Sequence, residues 1–263
     1  MKESSQLTFE RINYADQMNT VVNSKSGTCL ELIRNRQKII KDIIIYIHGG
    51  GLVKGDMSSG SYLSKFAKEG LATVCLMNYP LQTSENHGNL IELQLESIKA
   101  GIKKLKTRTE LQQITKATII GHSAGSYLTS LYALKEAIPW EEVNIILYDC
   151  AAYDLKEKFK LGNKKAKERL QDIFKNIEQS EILNQYSPIC VAEKENKNPK
   201  TKWYLISGSG KMARRAANMM SRLLTLKGTD SKTLETDIEH NNIKQFIDAE
   251  YNGSTLIKRI ISG

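Results

Sequence analysis

The stretch Ala117-Thr118-Ile119-Ile120-Gly121-His122-Ser123-Ala124-Gly125-Ser126 decides how the rest of the chain is read. Ala117–Gly121 is a short apolar run of the kind that forms a strand buried on both faces, and a helical pattern over Ser126–Ala137 follows it directly. The join between them is Gly-x-Ser-x-Gly. In that context a serine sits on a strained strand-to-helix turn with its hydroxyl exposed at the carboxyl edge of a sheet, and the flanking glycines let the backbone pass close to its neighbours. The helix N-terminus behind it favours developing negative charge. Ser123 is therefore the candidate nucleophile, provided the chain supplies the partners such a serine needs; without them the five residues are a glycine-rich turn and nothing more.

Outward from this point the same rhythm repeats. Ile43–Ile47, Ala72–Asn78, Val143–Tyr148, Trp203–Ser207 and Lys232–Asp237 read as strands, with helical runs between them. Within Asn89–Lys106 the residues Ile91, Leu95, Ile98, Ile102 and Leu105 step by three or four and form one apolar stripe. Met212–Leu226 and Asn241–Ile261 are the remaining helix candidates. This alternation predicts an α/β fold, a mostly parallel central sheet with helices on both faces. Residues 1–40 are less regular and fit an antiparallel hairpin at the sheet edge, with Gly27 in a turn. The lysine-rich stretch Asp154–Asn184 breaks the rhythm after the sixth strand and reads as a short helical insertion over one edge of the sheet, a lid bounded by residues 154–186. Glu193–Lys200 is a polar loop. With 263 residues, no internal repeat and no low-complexity linker, one domain over 1–263 is expected.

Composition narrows the classes. With 40% hydrophobic and 25% charged residues the chain has the balance of an ordinary folded protein, not that of a disordered, collagen-like or coiled-coil one. No apolar stretch approaches the roughly 20 residues of a membrane-spanning helix. Met1–Glu10 lacks the apolar region of a signal peptide, so a cytoplasmic location is expected. Cys29, Cys75, Cys150 and Cys190 are widely spaced without a Cys-x-x-Cys or Cys/His ligand pattern, and read as buried thiols rather than as a disulfide or metal framework. The net charge of +9 is uneven, with basic runs over Lys156–Arg169 and Lys211–Lys232. Such runs are ordinarily solvated helix faces; the sharper reading is a patch for an anionic membrane, nucleic acid or an acidic partner, and the lysines of the insertion could hold an anionic substrate. No zinc-finger, RRM or KH signature supports nucleic acid as a partner.

A second chemical signal is His48-Gly49-Gly50-Gly51, placed just after the strand Ile43–Ile47. Consecutive glycines let backbone N–H groups converge, and those of Gly50 and Gly51 with that of Ala124 would form an oxyanion hole. No GxGxxG pattern or Lys-Ser/Thr pair follows, which weakens a phosphate-loop reading. His48 reads as a hydrogen-bonding scaffold of the loop rather than as an acid or base.

Together these residues resemble the α/β-hydrolase superfamily, and within it the HGGG-bearing esterases and lipases of the hormone-sensitive-lipase type and their smaller carboxylesterase relatives. His48-Gly-Gly-Gly-Leu-Val-Lys-Gly-Asp56 looks like the oxyanion loop of that group. Asn78-Tyr79-Pro80-Leu81 resembles its Tyr-Arg-Leu stretch with the Arg replaced, and Ser187-Pro188 falls where a Ser-Pro commonly precedes the seventh strand. The resemblance implies the α/β-hydrolase fold and a serine hydrolase that cleaves a small-molecule acyl ester without a cofactor.

In that fold the nucleophile, the acid and the histidine follow in this chain order, and only His240 lies after Ser123; His48, His87 and His122 are upstream. His240 is thus the candidate base. The acid departs from the group's pattern. Its usual place, on the loop after the seventh strand, is occupied by Gly208-Ser209-Gly210-Lys211, and no acidic residue occurs from Ile206 to Thr229. Three readings stand. Asp149, directly after the sixth strand, could reach the histidine from there, as the acid does in pancreatic-type lipases. Asp154 could serve, although it resembles a structural Asp that bonds backbone or caps a helix. Otherwise the site is a Ser-His dyad or a degenerate pocket in a binding or regulatory protein. A lysine beside the imidazole, as Lys211 would be in the acid's place, would lower its pKa by like-charge repulsion.

Overall fold

Along the strand Asp42–Ile47 the side chains of Ile43, Ile45 and Ile47 enter one hydrophobic core while Ile44 and Tyr46 enter another, and in the strand Thr73–Met77 Cys75 and Met77 alternate with Val74 and Leu76 in the same way. This period of two, apolar at every position, is what a strand covered on both faces requires. The computed structural model describes residues 7–18, 27–83, 89–251 and 254–262. Its eight-stranded sheet consists of β1 (Leu7–Asn13), β2 (Cys29–Asn35), β3 (Asp42–Ile47), β4 (Thr73–Met77), β5 (Lys116–His122), β6 (Glu142–Tyr148), β7 (Lys202–Ser207) and β8 (Ser231–Glu235), in the order β1-β2-β4-β3-β5-β6-β7-β8. From β4 to β8 all neighbours are parallel; β1–β2 and β2–β4 are antiparallel, the edge hairpin expected of the N-terminal region.

The helices are α1 (Ser64–Glu69), α2 (Leu90–Lys106), α3 (Ala124–Lys135), α4 (Leu155–Leu161), α5 (Lys164–Ile173), α6 (Gln179–Tyr186), α7 (Pro188–Lys194), α8 (Lys211–Leu226), α9 (Ile243–Asp248) and α10 (Leu256–Ser262). Residues of α2, α3 and α8 share the first core; those of α1, α9 and α10 share the second. The N-terminal hairpin is tied inward through Tyr14, which is fully buried and donates to the carbonyl of Asn78.

One expectation changes. A single helix over Asn241–Ile261 is replaced by α9 and α10, with a two-stranded hairpin of Glu250–Tyr251 and Ser254–Thr255 between them. The run contains Asn252-Gly253, a pair that favours a hairpin connection over a helix interior. Pro188 opens α7, because proline lacks an N–H and suits the first helical position. The helices α4 to α6 form after β6, and α4 and α5 pack over the carboxyl ends of the central strands β5 and β6. Both ends of this excursion are fastened at one point. The buried Ser187 hydroxyl accepts from Leu155 N–H at 3.2 Å and donates to the Tyr153 carbonyl at 3.3 Å, and Ile189 N–H donates to that carbonyl at 3.0 Å.

Most of Met1–Glu10 and all of His87 lie outside the described residues. Among the described residues no helix is long and apolar enough to cross a membrane, and no group of three or more His, Cys, Asp or Glu could hold a metal ion. All four cysteines are free; Cys190 is half-buried and the other three are buried.

Candidate active site

Ser123 is the residue between β5 and α3, at φ 53° and ψ −112°. A non-glycine residue with positive φ stores strain that the surroundings must hold, and here they do. Ser123 N–H donates to the Tyr148 carbonyl at 2.9 Å, and the buried Ser126 hydroxyl donates to Gly121 at 2.7 Å and to Tyr148 at 3.0 Å. The two motif glycines answer to close approach. A Cβ on Gly125 would come within 2.1 Å of the Ile47 carbonyl oxygen, and one on Gly121 within 2.6 Å of Ser126 Cα. The spacing Gly-x-Ser-x-Gly is therefore the price of driving α3 directly across the end of β3.

The loop after β3 holds Gly50 at φ +124° and Gly51 at φ +65°. Val53 and Lys54 N–H groups donate to the Gly50 carbonyl, closing the loop. Behind it the buried His48 ring stacks on Tyr79 at 4.3 Å between centroids, its Nδ1 2.7 Å from the Gly49 carbonyl, and Tyr79 O–H donates to the His48 carbonyl at 2.9 Å. Burial pushes the His48 imidazole below the usual histidine range, consistent with a scaffold that stays neutral. Asn78 joins in, accepting from Met57 N–H at 2.7 Å and donating to Asp56 at 3.1 Å. The stretches 48–56 and 78–81 are thus one hydrogen-bonded unit.

His240 lies on the connection between β8 and α9, where its Nδ1 is 2.7 Å from Asp149 Oδ2. Asp149 follows β6 directly, at φ 48°, and its other oxygen accepts from Gly208 N–H at 2.9 Å. Burial raises the Asp149 pKa, but the hydrogen bonds from His240 and from Gly208 outweigh it, and the carboxyl sits below its usual range. The loop after β7 therefore contributes a backbone donor to the carboxylate that stands beside β7. It approaches closely: a Cβ on Gly208 would meet the Ile238 carbonyl oxygen at 2.5 Å and Asp149 Oδ2 at 3.2 Å. Asp154 is the N-cap of α4, accepting from Glu157 N–H at 3.0 Å, as its structural reading expected. Lys211 is exposed at the first position of α8 and, among the described residues, makes no hydrogen bond or ion pair with His240.

A cavity of about 530 Å³ joins these parts, a volume suited to a small organic ligand. Gly51, Ser123, Ala124, Asp149 and His240 line it; Gly50 does not. Ser123 makes no hydrogen bond to the imidazole among the described residues, although both line the same space.

One feature escaped the sequence reading. His122, the variable residue before the serine, donates from Nε2 to the His240 carbonyl at 2.8 Å with its ring 5.3 Å from that of His240, and Tyr148 O–H donates to the neighbouring Glu239 carbonyl at 3.1 Å. These bonds fix the backbone that carries His240. Lys158 and Arg169 also line the cavity. The helical spacing of α5 gave a signal for Arg169, because Ala166, Arg169, Leu170 and Ile173 fall on one face. On the other basic run, Arg214 pairs with Glu235 and Asp237 and Arg215 with Glu157, which commits both within the molecule.

The family model described as BD-FAE matches residues 31–220. Among solved structures, carboxyl esterase 2 of the mycorrhizal fungus Tuber melanosporum superposes with a TM-score of 0.69 at 18% identity, covering 99% of this chain and 86% of that one. An inhibited esterase B from Lactobacillus rhamnosis gives 0.69 at 17% identity over 89% and 76%. An esterase/lipase from an uncultured bacterium gives 0.67 at 17% identity over 100% and 85%. No curated protein matches the sequence. The fold is that of the α/β-hydrolases, with an open, mostly parallel sheet.

Proposed function

The chain belongs to the BD-FAE family, and on that premise we propose that it is a serine hydrolase cleaving a small-molecule carboxylic ester through an acyl-enzyme on Ser123. The observation that carries this reading is the 2.7 Å bond between His240 Nδ1 and Asp149, made at the rim of the cavity that Ser123 lines. Its direction matters. A carboxylate on Nδ1 keeps the proton there and leaves Nε2 as the basic nitrogen available to the serine. The esterase names of the superposed structures point the same way.

In the reaction His240 takes the Ser123 proton as the hydroxyl oxygen attacks the acyl carbonyl, and the resulting imidazolium is stabilised by Asp149. The oxyanion is received by backbone N–H groups of Gly51 and Ala124, with Gly50 shaping the loop that presents them. Collapse of the tetrahedral intermediate expels the alcohol, which takes the proton from His240; water then attacks the acyl-enzyme by the same route and releases the acid. Every group in these steps belongs to this chain or to solvent.

The test is labelling by a fluorophosphonate, which reacts only with an activated serine. Labelling of the wild type, abolished in Ser123→Ala and His240→Ala, supports the reading. A folded wild-type protein that resists labelling and cleaves no 4-nitrophenyl ester would make it wrong and favour a binding role for the pocket.

A further inference from the structure

Most of the cavity wall is apolar, with Leu52, Tyr127, Leu170, Ile173 and Phe174 among its residues, yet two cationic side chains line it as well: Lys158 from α4 and Arg169 from α5. The one carboxylate in that wall, Asp149, is already engaged by His240 and by Gly208 N–H. Among the described residues the acids of the same two helices make no ion pair with either cation. Glu157 pairs with Arg215 at 3.1 Å, Glu168 lies 3.9 Å from Lys164, and Asp172 accepts from Gln82 at 2.5 Å. Among the described residues neither the Lys158 ammonium nor the Arg169 guanidinium makes a hydrogen bond or an ion pair.

Arg169 is also held in place. A Cβ built on Gly51 would fall 2.2 Å from Arg169 Nη1 and 3.1 Å from its Cζ, so the guanidinium lies directly over the loop that follows β3 and uses the room left by a missing side chain. An arginine needed only for solubility gains most by extending into water. One half-buried among apolar residues has lost part of its hydration and gained no acceptor in exchange. Its planar fork matches a carboxylate with two parallel N–H···O bonds, and a lysine on the adjacent helix adds a second positive charge.

We propose that the site takes an ester carrying a second, anionic group, a carboxylate on the same molecule, which Arg169 and Lys158 bind while the ester carbonyl lies at Ser123. This names the substrate class of the hydrolase reading and rests on it for the chemistry, but not for the binding of the anion.

Two measurements test it. In the first, kcat/KM is compared within matched pairs of esters after subtraction of spontaneous hydrolysis. For an anion on the acyl side the pair is the 4-nitrophenyl monoester of adipic acid and 4-nitrophenyl hexanoate; for one on the alcohol side it is 4-acetoxybenzoate and 4-acetoxybenzamide. The wild type prefers the anionic member of one pair at least tenfold, and that ratio collapses in Arg169→Gln, falls less in Lys158→Gln and recovers in part in Arg169→Lys. In the second, calorimetric titration gives the Kd of adipate and of 4-hydroxybenzoate for the wild type, Ser123→Ala, Arg169→Gln and Lys158→Gln. At least one of the two binds to the wild type and to Ser123→Ala, and at least tenfold more weakly to Arg169→Gln.

Ester turnover without preference in either pair, with neither carboxylate bound, overturns the proposal and leaves the hydrolase intact. A preference untouched by both substitutions overturns the assignment to these residues. Carboxylate binding that depends on Arg169 in a protein that no fluorophosphonate labels sustains the anion site and removes the hydrolase.

Discussion

Asp149 reaches His240 from the strand adjacent to the one that ends in Ser123, and the two candidate acids of the sequence now have distinct expected behaviours. Asp149→Asn leaves the geometry nearly unchanged but can hold the imidazole in the wrong tautomer, so ester turnover is expected to fall by up to about 10⁴, the loss associated with that defect in serine-protease triads. Asp154→Ala removes the cap of α4 and costs about 1 kcal/mol of stability, read by chemical denaturation, while fluorophosphonate labelling proceeds at the wild-type rate. Two histidines that lose hydration on folding add a pH dependence. Burial pulls His48 and His122 below the usual histidine range, so the unfolded chain binds more protons than the folded one as pH falls below about 6.5. Stability is therefore full above that pH and declines below it, and His122→Gln should flatten the decline measured by denaturation between pH 7 and 5. The depressed Asp149 contributes separately: its share is present above about pH 4, the unfolded carboxylate value, and is lost as pH falls through its lower folded value. Ser123, Gly51 and Ala124, which line the cavity, were legible because their motifs are contiguous, and His240 because chain order left one histidine; Gly50, read with them, does not line it. Asp149 stood as one of three readings, since which carboxylate faces an imidazole 91 residues away depends on the path of β6, β7 and the Gly208 turn together.

At the scale of elements, strands and long helices follow from periodicity, and the positions read for β3 to β7, α2, α3 and α8 agree with the structure to within a few residues. The segment after His240 misled because an apolar stripe at helical spacing survives a break: Ile243, Phe246 and Ile247 of α9 and Ile257, Ile260 and Ile261 of α10 enter the same core from two separate helices. Arg169 was hidden among neighbouring lysines, distinguishable only by sharing a face with Leu170 and Ile173. Two close approaches give predictions here. Gly208→Ala would force a methyl group toward the Ile238 carbonyl oxygen and is expected to displace the segment leading to His240, lowering both the labelling rate and the stability. Ser187→Ala leaves the buried Leu155 N–H without its acceptor and should cost about 1–3 kcal/mol, measured by denaturant titration.

Across the whole molecule the sheet is the shared wall of two cores, one under α2, α3 and α8 and one under α1, α9 and α10. Neither core keeps its floor if the other is lost, because the same strands supply both. A single cooperative thermal transition is therefore expected, coincident by near-ultraviolet circular dichroism and by loss of fluorophosphonate labelling. An earlier loss of labelling would mark separate melting of α4 and α5. The excursion from Tyr153 to Ile189 is joined to the body where it leaves and returns, at the Ser187 hydroxyl and the Tyr153 carbonyl, and packs its apolar residues into the first core between those points. Ser123, His240 and the loop after β3 belong to the framework; Lys158 and Arg169 belong to the excursion. On the proposed reading, the groups that break the ester and those that select it therefore lie in separate stretches of the chain, the second within residues 154–187, and can be substituted independently.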